Sequence, residues 1–195
     1  MDTSYDLTAY SYSLPKELIA ETSVKPHHNA KLMVINKETG MIEAESTFWN
    51  LDQFLGNDRV LFFNNSKVLP ARIPLRNRMI RRSDGSIGHI TEGEILFCKK
   101  LDTDRFECLV RPGAKFRNNT KILFPEWEIE ILDMSDTGRI MTTHGTTIET
   151  IMEQYGELPL PPYITYSKEK EKDYQTVFAK KEGSVAAPTA SLHFT

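Results

Sequence analysis

The apolar positions of this chain fall into short runs, not long stripes. Lys31-Leu32-Met33-Val34-Ile35 and Met41-Ile42-Glu43-Ala44 flank Lys37-Glu38-Thr39-Gly40. Gly40 supplies the positive φ that such a turn wants, so the pattern predicts a hairpin. Ahead of it, Ser13-Leu14-Pro15-Lys16-Glu17-Leu18-Ile19 reads as a helix start, with Ser13 as cap and Pro15 where a missing N–H costs little. Residues 49–56 read as a short helix closed by Gly56. Val60-Leu61-Phe62-Phe63-Asn64 is apolar on both faces, which predicts a buried strand. The polar cluster Asn64-Asn65-Ser66-Lys67 interrupts it before Val68-Leu69 resumes.

From about residue 73 the pattern changes. Residues 94–98, 105–110, 121–124, 128–132 and 139–141 are short segments, several alternating polar with apolar, separated by turn residues. Such spacing predicts a small antiparallel sheet closing into a barrel. Arg111-Pro112-Gly113-Ala114 reads as a turn. After residue 146 helical spacing returns: Thr147 caps a helix over 148–155 with Ile148, Ile151, Met152 and Tyr155 on one face, and Gly156 stops it. The proline-rich residues 158–164 are expected to be extended, and the alternating charges of 168–173 to form a solvated surface. Residues 183–195 read as the start of further structure, with no helix or strand completed. The layout is a first segment (1–72), a β-rich middle (73–146) inserted like a separate unit, and a third segment (147–195).

The composition is that of an ordinary globular chain: 195 residues, 39% hydrophobic and 26% charged, with a formal charge of −3. That excludes a histone-like tail or a wholly basic nucleic-acid clamp. No apolar run approaches the length of a membrane span. The polar start Met1-Asp2-Thr3-Ser4-Tyr5-Asp6 lacks the pattern of a secretory signal. Cys98 and Cys108 form no disulfide framework and have no zinc spacing, so both are expected in the core of a cytoplasmic protein. Asn64-Asn65-Ser66 and Asn118-Asn119-Thr120 match the glycosylation pattern without a signal to support it.

Charge is distributed unevenly. Lys67, Arg72, Arg76, Arg78, Arg81 and Arg82 place six positive charges in sixteen residues with no acid, so the rest of the chain carries −9 against −3 for the whole. A polyanion would feel that field; a solvated basic loop is the plainer alternative. Asn64, Asn65, Ser66 and Lys67 offer amide donors and acceptors that suit a nucleobase edge, or a turn in which Asn satisfies its own backbone. His193 lies between Leu192 and Phe194 beside Thr195, as a proton carrier or as a hydrogen-bonded core residue. Tyr174-Gln175-Thr176 can line a pocket. His27, His28, His89 and His144 have no metal spacing and are assigned no role. A G-x-G-x-x-G loop, a Walker sequence and a serine nucleophile elbow are all lacking.

Three stretches together resemble one family. Phe63-Asn64-Asn65-Ser66-Lys67-Val68-Leu69-Pro70-Ala71-Arg72-Ile73 is similar to its early motif, F-N-D-T-R-V-I-P-A-R-L. Tyr155-Gly156-Glu157-Leu158-Pro159-Leu160-Pro161-Pro162-Tyr163-Ile164 resembles Y-G-x-x-P-L-P-P-Y-I. Residues 174–179 and 183–195 resemble Y-Q-T-V-Y-A and G-S-V-A-A-P-T-A-G-L-H-F-T. These are the marks of the S-adenosylmethionine:tRNA ribosyltransferase-isomerases of queuosine biosynthesis. The resemblance implies a mixed α/β domain interrupted by an inserted small antiparallel β-barrel, and a chain that ends before the α/β domain is complete. It implies transfer of the ribosyl part of S-adenosylmethionine to 7-aminomethyl-7-deazaguanine at the tRNA wobble position, giving epoxyqueuosine and releasing adenine and methionine.

The expected roles follow residue by residue. His193 handles a proton near C5′. Asn64, Lys67, Arg72, Tyr174, Gln175, Thr176 and Thr195 contact substrate, while Arg76, Arg78, Arg81 and Arg82 face tRNA. S-adenosylmethionine is the co-substrate; no metal or further cofactor is implied. A C-terminal companion segment is expected, and no membrane. Asn65, Lys67, Tyr166 and Ser191 depart from the family's Asp, Arg, Arg and Gly. A non-catalytic RNA-binding module and a diverged paralogue therefore remain the alternative readings.

Overall fold

Alternating apolar residues in the middle of the chain have one way to leave water: a sheet with one face turned inward. In the computed structural model, which describes residues 6–195, strands β4 (Arg72–Arg81), β5 (Ile87–Lys100), β6 (Arg105–Arg111), β7 (Lys121–Leu123), β8 (Glu128–Met134) and β9 (Arg139–His144) do this. They form a closed antiparallel sheet in the order β4-β5-β6-β9-β8-β7. Ile73, Leu75, Ile95, Phe97, Phe106, Cys108, Ile122, Ile129, Ile131 and Met141 fill its interior. Each such side chain contributes roughly 1.5–3 kcal/mol of burial. Cys108 is in the core as expected, and burial pushes its thiol well above its ordinary value.

The strand least visible in the sequence is β4, because its arginines and Pro74 read as a basic loop. Its inward positions run Ile73 and Leu75, then Ile80. Asn77, at φ 51°, lies where that alternation changes parity. Pro74 is tolerated because β4 meets β7 only at Ile80 and Arg81, so no neighbour needs a donor there on that side.

Outside the closed sheet, β1 (Lys31–Ile35) and β2 (Ile42–Thr47) form the expected hairpin, with Gly40 at φ 69°. β3 (Ser66–Val68) pairs in parallel with β10 (Lys181–Ser184). Among the described residues one α-helix, α1 (Ile148–Tyr155), packs Ile148 and Ile151 onto the sheet. Its Thr147 cap accepts from the Thr150 N–H at 3.2 Å. No helix of the described residues is long and apolar enough to cross a membrane.

Several sequence expectations fail locally. Residues 60–64 are not a buried strand: Val60, Leu61 and Phe62 are exposed and unpaired, since no sheet lies beside them. The start at Ser13 gives only a 3-10 turn, Lys16–Leu18, without a side-chain cap. Residues 48–54 are 3-10 helix kinked at Asn50. The proline segment closes a turn, with the Pro161 carbonyl accepting from Ile164 N–H at 2.9 Å. Residues 168–173 are not simply solvated, because Lys170, Glu171 and Asp173 are half-buried and paired. Residues 183–195 do complete elements: part of β10 and a 3-10 turn, Thr189–His193. Of the polar N-terminal stretch, residues 1–5 lie outside the described residues.

A Cβ at Gly156 would collide with the carbonyls of Pro70 and Met152. Gly156→Ala is therefore expected to cost about 1–3 kcal/mol in denaturant unfolding. Thr147→Ala, one lost cap on the same helix, should cost about 1 kcal/mol.

Candidate functional site

The parallel β3–β10 ladder brings distant motifs together. The Asn65 carbonyl accepts from the N–H groups of Lys180 and Lys181 at 2.8 and 3.1 Å, and Leu69 N–H donates to Ser184 O at 2.8 Å. Gln175 brackets Val68 on the same strand. Its Oε1 accepts from Val68 N–H at 2.9 Å and its Nε2 donates to Val68 O at 3.1 Å. Aromatic rings reinforce the junction: Phe63 lies 4.6 Å from Phe178 and 5.1 Å from Phe194, and Phe48 lies 4.8 Å from Phe194 and 5.3 Å from the His193 ring.

A groove of about 420 Å³ opens beside this junction, lined by residues 20–24, His27, Tyr163, Lys170, Asp173, Tyr174, Leu192 and His193. Polar ties hold its walls. Lys25 pairs with Asp173, and Lys170 Nζ donates to Glu21 and to the Thr165 carbonyl, both at 2.9 Å. His27 Nδ1 meets the Leu192 carbonyl at 2.8 Å, and its Nε2 meets Lys25 Nζ at 2.7 Å. A carbonyl only accepts and an ammonium only donates, so His27 carries its proton on Nδ1. His28 Nδ1 reaches Thr195 Oγ1 at 2.8 Å. His27 and His28, two of the four histidines left without a role in the sequence, thus pin the 192–195 segment. Burial pushes the Asp173 carboxyl up, but the hydrogen bond and charge of Lys25, with help from Ser23, hold it below its ordinary value. Burial raises the Tyr174 phenol.

A second cleft lies between the outer face of β4-β5-β6 and residues 157–166, with volumes of about 250 and 650 Å³ in its two parts. Arg72 Nε donates to Glu94 Oε2 at 2.8 Å, and Arg72 and Glu157 exchange backbone hydrogen bonds at 3.2 and 2.8 Å. Tyr166 OH donates to Glu171 Oε1 at 2.8 Å. Arg76, Arg111 and Glu157 complete the lining. Burial pushes the Glu157 carboxyl up, against the pull of Arg72 and Arg76. The same burial, with its bond to Glu171, raises the Tyr166 phenol.

The expected site residues are thereby dispersed. His193 and Tyr174 share the first groove; Arg72 and Arg76 share the second cleft. Thr195 is held by His28, and Thr176 is buried with its hydroxyl unpartnered. Asn64 Oδ1 accepts from Ser66 N–H at 2.7 Å, the self-satisfied turn. Lys67 faces Glu182 at 3.3 Å on the surface. Arg78 is turned under Phe124, its guanidinium 4.3 Å from the ring centre. Arg81 is exposed, and Arg82 holds Ser86 Oγ at 3.2 Å just beyond the end of β4 opposite to Arg72. Sequence reasoning missed Glu94, Arg111, Glu157, His27 and Asp173. Glu157 and Arg111 carried a signal, one by its place inside the Y-G-x-x-P-L-P-P-Y-I-like stretch and the other at the head of the Arg111-Pro112-Gly113-Ala114 turn.

The family model described as "Queuosine biosynthesis protein" matches residues 7–195. An S-adenosylmethionine:tRNA ribosyltransferase-isomerase of Clostridioides difficile is 38% identical over 190 residues, covering 95% of this chain and 53% of the relative. One of Symbiobacterium thermophilum is 39% identical over 193 residues, covering 97% and 54%. A solved S-adenosylmethionine tRNA ribosyltransferase of Thermotoga maritima is 31% identical over 74% of this chain and 47% of that one, with a TM-score of 0.35. The chain spans about half the length of the curated relatives it matches.

Both Gln175 amide atoms are engaged by Val68, so Gln175→Ala is expected to cost about 1–3 kcal/mol of stability with no substrate present, read by denaturant unfolding. Asp173→Asn should cost about 1 kcal/mol at pH 7. A carboxyl held below its unfolded value stabilises the fold above that value and loses the contribution as pH falls through the folded one. The difference between wild type and Asp173→Asn should therefore shrink towards zero below about pH 4 in pH-dependent melts.

Proposed function

The chain belongs to the queuosine biosynthesis protein family, and from that premise we propose that it supplies the N-terminal substrate-binding surface of a tRNA-modifying transferase-isomerase. The reaction is transfer of the ribosyl moiety of S-adenosylmethionine onto 7-aminomethyl-7-deazaguanine at the wobble position, giving epoxyqueuosine with loss of adenine and methionine. The observation that carries this reading is the convergence, through the β3–β10 ladder and the Gln175 bracket, of stretches about a hundred residues apart that both carry family-like motifs.

The 420 Å³ groove is of a size for a nucleoside ligand. Tyr163 and Tyr174 offer ring surface for adenosine. His193, exposed at the rim, is placed to take the proton lost beside the sulfonium. Thr195, tied to His28, and the buried Thr176 are the further substrate contacts of this reading. Exposed Arg81 and Arg82, with Lys67 and Asn64 at the edge, carry tRNA phosphates, and exposed Arg76 faces the same RNA. The sulfonium is its own activated donor, so the scheme needs no metal or further cofactor.

The closed sheet, residues 73–146, is an insertion in an α/β domain begun by 1–72 and resumed by 147–195. A C-terminal companion segment, as in the longer relatives, completes that domain and covers Val60, Leu61 and Phe62. A cytoplasmic setting fits a tRNA substrate. A non-catalytic RNA-binding module is the second reading, favoured by the exposed Arg81 and Arg82 at the end of β4.

The test supplies S-adenosylmethionine and precursor tRNA to the chain, together with the C-terminal half of the Clostridioides difficile relative. Adenine release that requires both substrates is the expected result. His193→Ala should lower it about 100-fold or more with tRNA affinity unchanged. Salt-sensitive tRNA binding with no adenine release would replace the enzyme by the binding module.

A further inference from the structure

On the outer face of β4-β5-β6, Arg76 opposes Glu92, Pro74 opposes Glu94, and Glu94 in turn opposes Arg111. Arg72 is engaged with Glu94 and Tyr166 with Glu171. Among the described residues nothing lies within hydrogen-bond or ion-pair distance of the side chains of Arg76, Arg111 or Glu157. All three line the same 650 Å³ cleft. Two uncommitted guanidiniums and two uncommitted carboxyls, Glu157 half-buried and Glu92 exposed, thus line one cavity, with Tyr166 and Pro112 as flat surfaces beside them; of the two carboxyls only Glu157 is shielded from water.

We propose that this cleft reads the Watson–Crick edge of a guanine-type base in the RNA, with Glu157 accepting from N1–H and the 2-amino group and Arg76 or Arg111 donating to O6. The inference rests on the tRNA reading above and names which residues would recognise the base. A guanine edge presents two adjacent donors and one acceptor, which matches one carboxylate and one guanidinium. An adenine edge presents an acceptor where the carboxylate needs a donor, which leaves Glu157 facing a lone pair. Recognition along that edge leaves the opposite side of the base free, so a substituent at position 7 projects out of the cleft and stays accessible for reaction. β4 adds a path for the backbone: it carries Arg76 at the cleft and continues to Arg81, with Arg82 just beyond, both exposed.

The experiment measures binding of the chain to three synthetic anticodon stem–loops that differ only at the wobble base, by fluorescence anisotropy at one fixed salt concentration. The guanine loop should bind about tenfold or more tighter than the adenine loop, with the inosine loop, which lacks the 2-amino group, between them. Glu157→Gln should abolish the advantage of guanine over inosine and tighten the adenine loop, because the amide N–H now donates to the adenine lone pair that the carboxylate could not satisfy. Arg81→Ala combined with Arg82→Ala should weaken all three loops equally. Equal affinity for the three loops, with ordinary salt dependence, would overturn the base site while sparing the RNA-binding reading; failure of every loop to bind would overturn both. Displacement of the guanine loop by methionine but not by guanosine monophosphate would assign the cleft to an amino-acid zwitterion and overturn the proposal. Should Glu157→Gln fail to fold, as judged by its melting curve, the wild-type ranking of the three loops decides the matter alone.

Discussion

Two residue pairs, Ile80 with Ile122 and Arg81 with Lys121, close the six-stranded sheet. Without them β4 and β7 would each present a row of unpaired backbone groups, and the interior would open to water along one seam. Closure keeps side chains from six strands in one enclosed core. The flanking parts of the chain have no comparable interior. Their own buried cluster is Val68, Leu158, Leu160 and Ile164. They are therefore oriented largely by attachment to the closed sheet: α1 lies on it, β3 runs almost directly into β4, and Glu157 is bridged to Arg72.

That last bridge has a topological consequence. Arg72 stands where the chain enters the closed sheet and Glu157 where it has left it and passed through α1. Because the two lie side by side, residues 73–146 can be a self-contained unit without separating the segments before and after it. The parallel pairing of β3 with β10, which always needs a long connection, is then satisfied across that whole unit. Both candidate cavities lie along this junction, one beside the 189–195 turn and one against the outer face of the sheet.

The walls of these cavities are held by polar ties more than by packing. Lys25 with Asp173, His27 with the Leu192 carbonyl, and Arg72 with Glu94 are charged or directional contacts at partly exposed positions. Such contacts fix geometry and contribute modestly to stability, each roughly 1 kcal/mol. The firm core is thus in the sheet, and adaptable surface is where ligands would bind. Exposed Val60, Leu61 and Phe62 belong to that softer part as well.

The periodicity of residues 94–98, 105–110 and 128–132, the Thr147 cap and the Gly40 turn determined their elements on their own, because strand alternation and capping are local physics. The motif stretches likewise determined the family without any coordinates. The strand character of residues 72–81 was hidden by arginines whose outward placement depends on the neighbours β5 and β7. Val60-Leu61-Phe62-Phe63 reads as a buried strand by composition, yet only a neighbouring sheet can bury it, and none lies beside it among the described residues. Gln175 and Asn64 look like ligand contacts in isolation. Their use by Val68 and Ser66 emerges only once hydrogen-bonding backbone is brought within 3 Å. Sequence determines what each side chain can donate, accept or bury; which of those capacities is left free for a ligand is decided by long-range neighbours, and so by the tertiary structure.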